Sequence, residues 1–100
     1  MFIHHVYFWM VPGTPASATE QLVTDCRTLL GQIPTVRHLW AGVPAMTSRD
    51  VVDNTYHVGL AVVLDDVAGH DVYQVHPKHV EFISRNKPNW ERVRVYDFKE

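Results

Sequence analysis

The residues between positions 73 and 79 carry the side chains best suited to chemistry in this sequence. The segment contains Tyr73, His76, Pro77 and His79. Imidazole titrates near neutral pH and can take up or deliver a proton, and a phenol can donate a hydrogen bond to a carbonyl oxygen. Pro77 suits the first turn of a helix, so we interpret His76 as its cap and His79 as the candidate for proton transfer.

Two more histidines, His5 and His57, lie near the starts of two predicted strands. We predict that these strands are parallel neighbours, so that both imidazoles lie at one end of the sheet and face the helices. His79 and Tyr73 would then lie above them. Taken singly, each histidine is more often a structural group than a catalyst, so the hypothesis depends on the cluster.

Small residues on the strand that follows His57 leave room for a ligand beside this cluster. The predicted pocket lining is Tyr7, Trp9, Gly59, Ala61, Cys26 and Phe82. An apolar wall with few polar groups suits a small organic molecule. The simpler interpretations are that the two large aromatic residues belong to the core or an interface, and that Cys26 is a small buried hydrophobe.

A metal site is an alternative, because His5, His57 and His79 could form a three-histidine site. The sequence contains neither an HExxH nor a CxxC motif, so we expect no metal ion and no cofactor. Asp97 could pair with the histidines only if the register of its strand turns it inward.

The hydrophobic patterns predict one α+β domain over residues 1–100 with the order strand, helix, strand, strand, helix, strand. Thr14 and Pro15 suit the start of the first helix, and Asp65 with Asp66 the start of the second. This order is typical of the ferredoxin-like βαββαβ fold. The predicted strands are Phe2 to Val11, Val36 to Val43, Tyr56 to Leu64 and Glu91 to Phe98. The predicted helices are one that begins after Pro15, a short one that ends at Val75, and one from Pro77 to about Asn86.

Strands that are apolar on both faces need cover on both faces, and the helices of this fold cover one. A second copy of the chain, with its sheet packed against this one, would cover the other face, so we predict an obligate homodimer. In this interpretation His4, Val6, Phe8 and Met10 face the partner.

The composition argues against several classes of function. The net charge is −2, there is one cysteine, and no apolar run approaches the roughly 20 residues of a membrane helix. We therefore expect no nucleic-acid partner, no membrane partner and no internal disulfide. The expected location is the cytoplasm.

Several segments together resemble the stress-responsive dimeric α/β-barrel (Dabb) family. The most specific is Tyr73-x-x-His76-Pro77-x-His79, and the frame is completed by His5, Ile33 to Val36 with Gly42, and Tyr56-His57. The resemblance implies a ferredoxin-like protomer and a dimer in which two sheets form a barrel.

Most members of this family have no assigned reaction. One characterised member, the plant olivetolic acid cyclase, closes a linear polyketide by an aldol-type condensation without a metal or cofactor. By this resemblance His79 is the general base, Tyr73 holds the carbonyl, and His5 and His57 line the pocket. Cys26 replaces a pocket tyrosine, and Tyr7 and Trp9 replace slimmer residues, which implies a shorter cavity. The alternatives are a non-catalytic stress-response or ligand-binding protein and a cofactor-free monooxygenase of the same superfamily.

Overall fold

The computed structural model describes all 100 residues and contains four strands and three α-helices. In chain order they are β1 (Phe2–Met10), α1 (Ala16–Thr28), β2 (Val36–Gly42), β3 (Val58–Leu64), α2 (Val67–Val75), α3 (Pro77–Asn86) and β4 (Trp90–Lys99), with 3₁₀ turns at Leu30–Gln32 and Lys87–Asn89. None of the helices has the length and apolar character needed to cross a bilayer.

The sheet has the strand order β2-β3-β1-β4, and every neighbouring pair is antiparallel. This confirms the ferredoxin-like prediction. The prediction that β1 and β3 run parallel is wrong. Each crossover joins parallel strands that are not neighbours, because β3 lies between β1 and β2, and β1 lies between β3 and β4. His5 therefore pairs with Ala61, whereas the backbone of His57 bonds to Phe8 near the other end of β1.

The helices cover the face of the sheet that we predicted for the dimer partner. Val6, Phe8 and Met10 are buried there, with Leu22 of α1 and Phe82 of α3 in the same core. His4 lies on this face as well and is buried. The predicted assignment of the two faces of β1 is therefore reversed. The wholly apolar Val6, Phe8 and Met10 pack into the core, whereas Tyr7 and Trp9, which carry polar groups, lie on the opposite face.

The opposite face of the sheet, which we call the open face, carries His5, Tyr7 and Trp9 from β1. Tyr96 and Phe98 of β4 lie beside them, and their exposed fractions are 58% and 56%. The rings of Tyr7 and Tyr96 lie 6.2 Å apart. No helix covers this aromatic surface.

Two helix starts agree with the sequence and one does not. The Asp66 side chain accepts a hydrogen bond from the amide of Gly69, and Nδ1 of His76 accepts one from the amide of Lys78. Both predicted caps are confirmed. Thr14 does not cap α1, because its hydroxyl donates to the carbonyl of Val11 and the helix begins at Ala16.

Candidate functional site

A cavity of about 140 Å³ lies between the sheet and the helices α2 and α3. Its polar lining consists of His4, Tyr73, Gln74 and His79, and most of the remaining wall is apolar. A space of this size holds roughly one benzene-sized molecule. Val93 and Val95 of β4 complete the wall and are 40% and 46% exposed, so the cavity opens toward the solvent at this edge strand.

Tyr73 lies on α2 at the back of the cavity and is almost completely buried. Its ring contacts the imidazoles of His79 and His4, with ring centres 4.9 Å and 5.8 Å away. Burial raises the pKa of the Tyr73 hydroxyl, with a smaller contribution from Cys26. The hydroxyl is therefore protonated at neutral pH and can donate a hydrogen bond to a ligand.

His79 reaches the cavity from the first turn of α3. The cap formed by His76 and the proline at position 77 begin this helix, and so they set the direction in which the His79 side chain leaves it. Burial lowers the pKa of His79, and the neighbouring imidazoles of His4 and His70 lower it further. No carboxylate is paired with this ring, so His79 is neutral near pH 7 and can accept a proton.

His4 and Asp97 form a hydrogen-bonded pair beside these two residues. They are register partners on β1 and β4, and Nδ1 of His4 lies 2.6 Å from Oδ1 of Asp97. The register does turn Asp97 inward, but its partner is His4 and not a predicted site histidine. Burial lowers the pKa of His4 while Asp97 opposes that shift. The carboxylate orients the ring and leaves Nε2 for other contacts.

His5 and His57 do not join this cavity. His5 lies on the open face with Tyr7, Gly59 and Ala61, where they line a shallow groove of about 360 Å³. His57 is exposed at the start of β3, and its Nδ1 accepts a hydrogen bond from the amide of Met10. Their predicted position below the helices is wrong, because alternation along β1 and the antiparallel pairing place them elsewhere.

The remaining predicted pocket residues divide between the two faces and the core. Trp9 lies on the open face, where its ring nitrogen donates to Thr55 and Arg92 packs over the ring. Cys26 is completely buried in the core, and burial raises the pKa of its thiol to about 12. Phe82 does line the cavity, as predicted.

His4 and Asp97 were missed as a pair because the sequence was assigned the wrong face of β1. The available signal was partial: an antiparallel β1–β4 pair brings the start of β1 beside the end of β4, which are the segments that contain His4 and Asp97. The trio considered for a metal, namely His5, His57 and His79, is separated by the sheet.

The fold and this cavity define a small α+β protomer of ferredoxin-like topology, and a comparison of the sequence with known families agrees with this class. Residues 3–100 match the family model of the stress responsive A/B barrel domain, Dabb. The chain therefore belongs to the Dabb family. Among curated proteins, none matches the sequence.

Solved structures with low sequence identity share the fold. A Dabb family protein from Mesorhizobium loti is 24% identical, with a TM-score of 0.80 over 99% of this chain and 95% of its own. A dimeric ferredoxin-like protein of unknown function from Thermobifida fusca is 20% identical, with a TM-score of 0.82 over 99% and 90%. The hydroxynitrile lyase from Passiflora edulis is 18% identical, with a TM-score of 0.78 over 97% and 90%. The narrower resemblance to olivetolic acid cyclase stays a prediction.

Proposed function

We propose that this protein catalyses proton transfer on a small carbonyl compound without a metal or organic cofactor. One observation carries the proposal. A neutral imidazole (His79), a protonated phenol (Tyr73) and a carboxylate-oriented imidazole (His4) converge on the same small cavity. Groups of this kind supply the base, the oxyanion donor and the second proton carrier that such a reaction needs.

In this mechanism His79 removes a proton from the carbon next to the carbonyl group of the ligand. The electron pair of the broken C–H bond moves onto the carbonyl oxygen, and the Tyr73 hydroxyl donates a hydrogen bond to the oxyanion that forms. Because burial keeps His79 neutral and Tyr73 protonated, both residues begin in the state that their role requires. The protonated His79 then returns the proton to the product directly or passes it to His4, whose imidazolium form the carboxylate of Asp97 stabilises.

The size of the cavity restricts the substrate. About 140 Å³ accommodates a small ketone or aldehyde but not a long polyketide tail. The predicted cause of a shorter cavity, Tyr7 and Trp9 at its floor, is wrong, because neither residue lines this cavity. A structural relative with the same fold is named a hydroxynitrile lyase, so at least one protein with this fold is an enzyme.

The test is the exchange of α-protons of small ketones for deuterium in D₂O, followed by NMR. His79→Ala should slow exchange by about 10² to 10⁴-fold, and Tyr73→Phe should slow it while keeping the ring. His38→Ala is the matched control, because His38 lies exposed on β2. Exchange by the His79→Ala protein at the rate of the unchanged chain would contradict the proposal.

A non-catalytic ligand-binding protein is the second candidate, and the mostly apolar cavity wall favours it. In that case His79 and Tyr73 orient a bound molecule. The His79→Ala change would then alter thermal stability or binding of small carbonyl compounds, with no proton exchange in any variant.

We also propose that the chain forms a homodimer through the open face. Exposed aromatic side chains on this face, including Trp40, Tyr96 and Phe98, are typical of an interface. The Thermobifida fusca relative, which shares the fold, is dimeric. Tyr96→Lys should halve the mass in light scattering, because it would bury an unpaired charge. Val80→Lys, on the exposed side of α3, should leave the mass unchanged, and a monomeric unchanged chain would contradict the proposal.

A further inference from the structure

The strongest unassigned cluster of side chains lies beside the cavity and contains His4, His70 and Asp97. A ring nitrogen from each imidazole and a carboxylate oxygen all lie within 4.8 Å of one another. The three residues come from β1, α2 and β4, so the cluster exists only in the folded chain. From this convergence we propose that His4, His70 and Asp97 bind one divalent transition-metal ion of the Zn²⁺ type.

The donor atoms select the class of ion. Two imidazole nitrogens and one carboxylate oxygen suit borderline metals such as Zn²⁺ or Co²⁺, whereas Mg²⁺ and Ca²⁺ prefer oxygen ligands throughout. Three protein ligands leave the fourth position of a tetrahedral ion to water or to a small ligand. Because His4 also lines the cavity, that position lies next to it.

The distances between the ligand atoms of His4, His70 and Asp97 are close to those found around such an ion. Ligand atoms around tetrahedral zinc lie about 3.3 Å apart, as follows from bond lengths of about 2.0 to 2.1 Å. His4 and Asp97 are already in contact at 2.6 Å. The Asp97 side chain is 35% exposed and His70 is only partly buried, so both can adjust by the remaining distance.

Neighbouring groups hold the third ligand in place. The His70 ring stacks on Phe2 with ring centres 4.6 Å apart, its Nδ1 lies 3.3 Å from Oδ1 of Asp71, and the side-chain amide of Gln74 lies 3.2 Å from its Nε2. A hydrogen bond to one ring nitrogen orients a metal-binding histidine and leaves the other nitrogen for the ion, so one of these two contacts opens on binding. His70 plays no part in the proposed proton transfer, which makes it the best position for a test.

A bound ion would replace the proton that His4 and Asp97 share. Metal occupancy and the hydrogen bond between these residues therefore exclude each other. The proposed reaction uses the metal-free state, in which His4 and Asp97 keep this hydrogen bond, whereas binding of the ion is tested without a substrate.

The experiment uses the tag-free full chain, first treated with a chelator and then titrated with Zn²⁺ by calorimetry. One ion should bind per chain. His70→Gln and Asp97→Asn should each weaken binding by at least about tenfold, since loss of even an outer contact costs that much. His38→Gln, an exposed histidine on another strand, should bind the ion as tightly as the unchanged chain.

A second measurement locates the ion without any substitution. Paramagnetic Co²⁺ should broaden the NMR signals of the His4 and His70 rings and leave those of His38 sharp. Absence of binding to the unchanged chain would overturn the proposal. So would equal affinity of the His70→Gln and Asp97→Asn variants, or broadening centred on His5 or His57.

Discussion

His4 and His5 are consecutive residues on one strand, and the two faces of the sheet give them different properties. His4 is buried under the helices and bonded to a carboxylate. His5 is partly exposed among the aromatic rings of the open face, with Tyr7 and Phe98 as its nearest ring partners. Residue type alone therefore does not show which of the two histidines belongs to the cavity. Burial and a charged partner, both set by strand register, distinguish the two imidazoles.

The two faces also differ in how they contribute to stability. The helix-covered face holds the buried cluster that includes Phe8, Phe82 and Tyr73, and this cluster is complete within one chain. The open face holds large exposed aromatics that gain cover only in an assembly. Substitutions on the first face should therefore act at any protein concentration, and those on the second through association.

We expect the largest difference in stability between substitutions of two phenylalanines, Phe82 in the buried core and Phe98 on the open face. Phe82→Ala, at a side chain that is 2% exposed, should lower the free energy of unfolding by about 3 to 5 kcal/mol at every protein concentration. Phe98→Ala on the open face should act mainly by raising the concentration at which the chains associate. Denaturant unfolding at several protein concentrations measures both. Equal, concentration-independent losses would show that the faces do not differ in this way.

A medium effect is expected from the two adjacent histidines. His4→Gln should lower the free energy of unfolding by about 1 to 3 kcal/mol, because it removes the hydrogen bond to Asp97 from a buried position. His5→Gln in the dissociated chain should change it by no more than about 0.5 kcal/mol. Chemical denaturation of the two variants in a dimer-disrupted background is the measurement. A larger loss for His5→Gln would reverse the comparison.

The smallest effect concerns pH. Burial lowers the pKa of His79 below its ordinary value of 6.5 in the folded chain. The unfolded chain therefore binds more protons as the pH falls below that value, so stability is complete above it and declines toward acid pH. His79→Gln should make the decline shallower. Thermal unfolding measured from about pH 7 to about pH 5 tests this, and identical slopes for the variant and the unchanged chain would contradict it.

The order of the strands and helices, and the residues at which α2 and α3 begin, were predictable from local sequence patterns. Asp66 and His76 act as caps through contacts with residues two or three positions away, and such contacts depend on nearby sequence alone. The apolar alternation of β1 and β3 likewise identified both strands. The ferredoxin-like fold followed from the order of all the strands and helices along the chain.

The site was less predictable, because it depends on pairings between distant residues. Neighbouring side chains of a strand point to opposite faces, so either His4 or His5 faces the helices. The sequence does not decide between them, because both faces of β1 are largely apolar. The pairing of His4 with Asp97 joins residues 93 positions apart. His79, Tyr73 and Phe82 do line one cavity, but without His5 and His57, over which they were predicted to lie.

The position of β4 at the edge of the sheet connects the site to local motion. This strand pairs only with β1, and all of its residues after Trp90 are exposed. Edge strands without cover open more readily than central strands, and such openings are visible in amide hydrogen exchange. Each opening of β4 would carry Asp97 away from His4. The carboxylate that orients this buried imidazole therefore lies on an edge strand, and each opening of that strand would release the hydrogen bond that holds the His4 ring.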